Sequence, residues 1–262
     1  MLLTHSMLRF HINSLTLSAL FVAGTAALSY AQDNATPKLP SFEEAKSRIK
    51  KTGAHEYELG SIKFNSETRE ISFPASINMS EGALEYALVH VNGKTHESLL
   101  KTQIKGFDLN VVMLLCRFEP HIAELTAVLK EVRPELQAEA AKPLVKPGAN
   151  HLKATVQWKD EKGAHALTIQ QMVINLTTGK PLTAPHFTYN GSQLFEGHFE
   201  ADSEGSYIAL YVDFLALINS VELGNVDDKR WIVNTAVTPP VDTPVTVVFS
   251  PSEVSVKPPT KE

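Results

Sequence analysis

The chain reads as an α+β protein, a predominantly antiparallel β-sheet built from hairpins with two or three helices. Three observations carry that expectation. Apolar and polar residues alternate in short runs separated by turn signals, and two segments are apolar at helical spacing. The 262 residues are 43% hydrophobic and 20% charged with 13 Gly and 15 Pro, which suits a folded chain and neither a disordered nor a collagenous one.

The elements follow in order. Residues 1–31 contain no acid and one Arg, Arg9, ahead of an apolar stretch from Leu15 to Leu28, which is a signal-peptide pattern. Small residues at Ser29 and Ala31 place cleavage between Ala31 and Gln32; the apolar core falls short of the roughly 20 residues a spanning helix needs. Residues 32–59 form a polar leader and a short helix, begun by Ser41 with Glu43 and Glu44 and ending near Lys51. Residues 60–250 hold the α+β domain. Ile62 and Phe64, then Ile71, Phe73, Ala75 and Ile77, alternate across a Ser66-Glu67-Thr68 turn as a hairpin. Pro74 cannot donate a ladder hydrogen bond and marks its strand as an edge or bulged one.

Leu84 to Val91, Asn92-Gly93 and Lys94 to Leu100 predict a second hairpin with a type I′ turn. In that register His90, Thr95 and Glu97 share one face with Tyr86 and Leu88, while Lys94, His96 and Ser98 share the other. Asp108 caps a buried helix near 108–118, and Pro120 opens an amphipathic helix near 120–132, within a helical insert and linker spanning 120–150. Leu152 to Trp158 and Ala164 to Ile169 make another hairpin. Further short strands and a short helix from Phe214 to Asn219 lead to Trp231 to Thr235 and Val245 to Ser250, and 251–262 is a flexible Pro-rich tail.

Several function classes are excluded by composition. The 24 Lys plus Arg against 29 Asp plus Glu give a formal charge of −5, which argues against nucleic acid as a partner. The single Cys116 excludes disulfide scaffolds, cysteine-rich zinc modules and iron-sulfur clusters, and its apolar helix disfavours a reactive thiolate. No nucleophile elbow, Walker loop, dinucleotide turn or zincin helix stands in a context that would make it work. No cofactor is expected.

The polar run Lys94-Thr95-His96-Glu97-Ser98 is the sharpest candidate surface. Alternation separates His96 from Glu97, so a metal reading needs His96 with ligands from elsewhere, or His90 with Glu97 across the hairpin. His121-x-x-Glu124 places an imidazole and a carboxylate one helical turn apart, the start of a metal site, though a solvated helix start explains it better. Asp202 to Gly205 and Asp227-Asp228 offer calcium-type oxygens without a calcium-loop pattern and read as acidic turns. Trp158 and Trp231 suit strand pairing or core better than a carbohydrate platform.

Ile71 to Leu115 and Leu152 to Phe249 together resemble the YdjY-type domain of exported bacterial proteins. The segments that carry the resemblance are F-P-A-S-I-N at Phe73 to Asn78, L-E-Y at Leu84 to Tyr86 and G-K-T-H-E-S-L-L-K-T at Gly93 to Thr102. G-S at Gly191-Ser192, F-E-A-D-S-E-G-S at Phe199 to Ser206 and D-D-x-x-W-x-V-N-T at Asp227 to Thr235 complete it. The resemblance implies export and supplies no mechanism; the insert from Pro120 to Lys142 is longer than the family pattern. Asp228 and Trp231 join Lys94, His96, Glu97 and Ser98 as candidate binding residues. The leading expectation is an exported, periplasmic, non-catalytic binding or envelope-accessory protein, its partner an envelope protein or a small ligand. A metal-assisted hydrolase using His96 or the His90 and Glu97 face, and a structural envelope scaffold, are the alternatives.

Overall fold

The structure, a computed structural model, describes residues 41–127 and 148–252. The expected signal peptide, the expected leader to residue 40, the part of the expected helix and linker from 128 to 147, and the tail from 253 lie outside the described residues. The first elements are α1 (Phe42–Ser47), β1 (Lys50–Lys51), β2 (Glu56–Leu59), β3 (Ile62–Asn65), β4 (Ile71–Ile77), β5 (Ala83–Leu84), β6 (Tyr86–His90) and β7 (Ser98–Thr102). Next come α2 (Gly106–Leu115), α3 (Ala123–Ala127), β8 (His151–Asp160), β9 (Gly163–Thr168), β10 (Val173–Asn175), β11 (Lys180–Pro181) and β12 (Phe187–Tyr189). The chain continues with β13 (Leu194–Phe195), β14 (His198–Phe199), β15 (Ser206–Ala209), β16 (Ile218–Ser220), β17 (Trp231–Val233) and β18 (Pro244–Pro251).

The architecture corrects the expected fold class. In place of a hairpin-built antiparallel sheet, β4, β18, β8, β12, β16, β15, β6 and β7 follow one another and β7 returns to β4, closing an eight-stranded barrel. The barrel is mixed, because β15 and β16 run parallel, as do β6 and β7. Its interior is filled by the residues whose alternation was legible: Ile71, Phe73 and Ile77 face Val245, Val247 and Phe249, and Leu152, Ala154 and Val156 continue the row. Phe73 and Phe249 meet edge to face, ring centres 5.2 Å apart. Period 2 reports which side of a strand is buried and not which strand lies beside it, so closure by β18, far along the chain, left no local signal.

Hairpins do decorate the barrel. β2 and β3 extend β4 outward, and β9 folds back on β8 with Trp158 opposite His165. A separate four-stranded sheet orders β11, β10, β17 and β5.

The expected Asn92-Gly93 hairpin is not formed. Residues 91–97 carry the chain back along β6 so that β7 starts beside Tyr86 and runs parallel to it, with Tyr86 opposite Ser98 and His90 opposite Thr102. Parallel neighbours ordinarily need a long crossover; strands this short require a return of only four residues' rise, roughly 13 Å. Gly93 serves close approach instead of a primed turn: a Cβ there would lie 2.9 Å from the Gly205 carbonyl oxygen, and one on Gly205 would lie 2.7 Å from Gly93 Cα.

Pro74 is likewise not on an edge. Its carbonyl accepts from Thr102 Oγ1 at 2.7 Å, so its missing N–H points to the same side of β4. On that side Ile71 and Ser72 pair with β3, while Ser76 and Ile77 pair with β7. The proline occupies the gap between the two neighbours, where no ladder bond is lost.

The buried helix, expected from 108, starts at Gly106 because the carboxylate that caps it comes from elsewhere. Asp202 accepts from the N–H of Gly106 at 2.5 Å and of Phe107 at 3.1 Å. Asp108 instead receives both guanidinium nitrogens of Arg48, at 3.0 and 2.5 Å, tying α1 to α2. The helix closes in a Schellman arrangement, with Phe118 N–H on Met113 O and Arg117 N–H on Leu114 O, and Arg69 Nε donates to Cys116 O at 2.7 Å. Asp202→Ala leaves two buried N–H groups unpaired and is expected to cost about 2 kcal/mol in chemical denaturation; a loss under about 0.5 kcal/mol would mean that water caps the helix equally well.

Cys116 ends this helix fully buried, and burial pushes its thiol up to about 12. At pH 8 roughly one thiol in ten thousand is ionised, so native protein is expected to stay inert to a thiol-exchange reagent that labels the denatured chain at once. The folded value lies above the unfolded one, so this contribution to stability holds below about pH 8.5 and is lost as pH rises toward 12. Fast labelling at pH 8 in native buffer would contradict the burial.

One further element differs. The expected helix from Phe214 to Asn219 is a turn followed by β16, which the parallel ladder to β15 holds extended, with Ile208 opposite Ile218. No helix of the described residues is long and apolar enough to cross a membrane.

Candidate metal centre

The first residue of β8, the residue that precedes β12 and a short helix bring His151, His186 and Glu124 together. On β8 the buried side is Leu152, Ala154, Val156 and Trp158, so His151, the first residue of the strand, projects from the other side. His151 pairs with Thr188 on β12, and His186, two residues before Thr188, falls on that same outer side. The imidazoles stack with ring centres 3.6 Å apart and planes 15° from parallel.

Glu124 reaches them because the chain entering α3 is pinned to the barrel. Glu119 N–H donates to Ala149 O at 3.2 Å and His121 N–H to Tyr189 O at 3.0 Å. Pro120 lies over Gly191, where a Cβ would come within 2.6 Å of the proline ring; this backbone, at φ +84°, is one that glycine adopts freely. One carboxylate oxygen of Glu124 meets His151 Nε2, and the other lies 3.1 Å from His186 Nε2.

Burial alone would raise the Glu124 carboxyl, but the hydrogen bonds from His151 and His186 outweigh it and hold the group down to about 2. The carboxylate is therefore ionised throughout the physiological range. The histidine side chains are 12% and 15% exposed and that of Glu124 is 32% exposed, so the imidazoles lie deeper and the carboxylate faces solvent. His151 Nδ1 is buried with no protein partner.

The donor atoms of the three residues all lie within 4.8 Å of one another. Two imidazole nitrogens and a carboxylate oxygen are the protein ligands of hydrolytic zinc sites and of two-histidine, one-carboxylate iron sites. Of these three residues, sequence reasoning singled out Glu124 only, and paired it with His121. His121 instead accepts the Ala123 N–H on its Nδ1 at 3.1 Å. The partners that do converge stand 27 and 62 positions from Glu124, with no spacing motif to signal them.

The candidates of the 94–98 run are distributed differently from their expected faces. Thr95–Glu97 is a turn of 3₁₀ helix, not strand, so successive side chains no longer alternate and His96 Nε2 lies 3.3 Å from Glu97 Oε2. His96 is largely exposed. Ser98 is buried, its hydroxyl donating to Leu100 O at 2.9 Å. Lys94 Nζ donates to Tyr86 Oη at 2.7 Å and lies 3.5 Å from Glu204. Tyr86 in turn is 3.0 Å from Asp213 Oδ2 and 2.8 Å from Tyr211 Oη, and burial raises its phenol well above the ordinary value.

His90 takes the Asn92 N–H on Nδ1 at 3.2 Å, and its ring lies beside Tyr207. Burial first, then Glu97 and Asp228, raise the Glu85 carboxyl, which places those three acids near one another. Trp231 is fully buried opposite Leu84 and Asn175. The structure thus gathers Lys94 into a polar tie with Tyr86, Tyr211, Asp213 and Glu204, and keeps His96, Ser98 and Trp231 out of it. The acidic segments have structural partners: Asp202, which lies in a helical turn at Glu200–Ser203 and not in the expected loop, caps α2, and Asp227 accepts from Lys229 N–H and Arg230 Nε, each at 3.1 Å.

Comparison of the chain with protein-family models, with curated proteins and with solved structures finds no match in any of the three.

Proposed function

We propose that this chain is an exported binding protein whose ligand is a divalent transition-metal ion held by Glu124, His151 and His186. The observation that supports it is the convergence of two imidazoles and an ionised carboxylate from three separate segments on one outer patch of the barrel. Nitrogen and oxygen donors favour zinc and its neighbours in the first transition series over calcium or magnesium. The signal-peptide pattern of residues 1–31 and the resemblance to YdjY-type domains give the setting, an oxidising envelope compartment where a site without thiolates is not exposed to oxidation. In this reading the Lys94 and Tyr86 tie is architectural, holding the return segment 91–97 against the barrel.

The test is zinc titration of the chain from Gln32 onward, followed by calorimetry and thermal unfolding. One ion per chain is expected, and free zinc at a hundred times its Kd stabilises a protein that binds only when folded by about 2.7 kcal/mol. Absence of both heat and stabilisation, with calcium and magnesium equally silent, would sink the metal reading.

A further inference from the structure

Resting on that metal reading, we propose that an ion bound by Glu124, His151 and His186 keeps a coordination position open, so that the site takes a small anionic oxygen or nitrogen donor as an exchangeable ligand. It is then a place where ion and anion meet, and not a closed structural centre. Donor number is the first support. Closed structural zinc sites have four protein ligands, whereas sites with three protein ligands leave the fourth position to water or substrate. Among the described residues three side chains converge here, and the thiol of Cys116 is committed to the apolar core.

Direction is the second support. Two stacked imidazoles present their nitrogens side by side, and the carboxylate oxygen lies 3.1 Å from one of them. Donors this close occupy one side of an ion and leave the opposite side uncovered. Because Glu124 is the most exposed of the three, that uncovered side is reached from solvent along the carboxylate.

Charge is the third. A divalent ion with a single carboxylate leaves a formal charge of +1 at a half-buried position, where attraction is less screened than in open water. That surplus selects an anion, such as a carboxylate or an azide-like donor, over a neutral ligand.

Cobalt(II) tests this, because its visible spectrum reports ligand number and type. Cobalt is added to the wild-type chain from Gln32 onward, and azide is then titrated in. The expected result is a protein-bound cobalt spectrum that azide alters saturably, with one azide per ion, and that acetate displaces competitively. A bound-cobalt spectrum indifferent to azide and acetate overturns the open position while leaving metal binding intact. No bound-cobalt spectrum overturns both. His151→Ala, run at the same concentrations, shows only the response of free cobalt; an azide response identical to the wild type's would assign the effect to solution chemistry and overturn the proposal.

Discussion

His186→Ala and His151→Ala are each expected to weaken zinc binding by about a hundredfold or more while leaving the barrel folded. Either substitution removes one of three protein donors, and a hundredfold loss corresponds to about 2.7 kcal/mol. His151 starts β8 and His186 immediately precedes β12, each on the side opposite the core residues Leu152 and Phe187, so truncating them leaves that core packing in place. Glu124→Gln is the more telling variant. It preserves shape but turns one of the two acceptor oxygens into a donor and removes the charge that attracts the ion, so affinity falls, and the zinc-free protein loses the part of its stability that the hydrogen bonds from His151 and His186 give the ionised carboxylate. His96→Ala is the control, since His96 stands exposed beside Glu97 and outside the converging group. Equal loss of zinc on His96→Ala and His186→Ala would contradict the assignment, as would retention of full affinity by both barrel variants.

Gly205→Ala is expected to destabilise the fold by about 3 kcal/mol or to prevent it from forming at all, a large effect for one methyl group. The residue sits at φ +67°, a region that L side chains enter at a cost of about 1–2 kcal/mol. The added Cβ would also lie 2.7 Å from Gly93 Cα and 3.2 Å from His90 Cβ. Neither neighbour is the free end of a side chain, so relief requires the return segment 91–97 to lift from the barrel. That movement would break the Gly205 carbonyl's hydrogen bond from His90 N–H, now 2.8 Å. Gly93→Ala meets the same contact from the other side, and the two losses are expected to be strongly non-additive in a double-mutant cycle, because one displacement relieves both. Urea unfolding of the three variants measures this; two independent, additive losses would mean that the backbones do not share a contact.

The parts of this fold that were legible in the sequence are those settled within a few neighbouring residues. Ser41 and Glu44 form the capping box that starts α1, and the alternation of Ile71, Phe73 and Ile77 and of Leu152, Ala154 and Val156 marks the sides that fill the barrel. The apolar segment ending at Cys116 is buried over most of its length, Leu109, Val111, Val112 and Met113 included, while Leu114 is exposed. Local rules failed where a distant partner reset the choice. Asn92-Gly93 carries the strongest short-range hairpin signal, yet the parallel ladder between β6 and β7 and the contact with Gly205 demand a return path in its place. Asp108 suits an N-cap, but Arg48 claims it and Asp202 supplies the cap from 94 residues further along the chain.

The sequence by itself determined which side of the alternating runs Ile71–Ile77 and Leu152–Trp158 is buried and where α1 is capped, and that one thiol can form no internal disulfide. It did so because burial and turn formation are decided by the chemistry of adjacent side chains. Only the tertiary structure decided that the strands close into a mixed barrel, and that Glu124 faces His151 and His186 while its nearer neighbour His121 turns to backbone. Strand partners and ligand sets are chosen by through-space distance between segments tens of residues apart, and no periodicity within a segment records that distance.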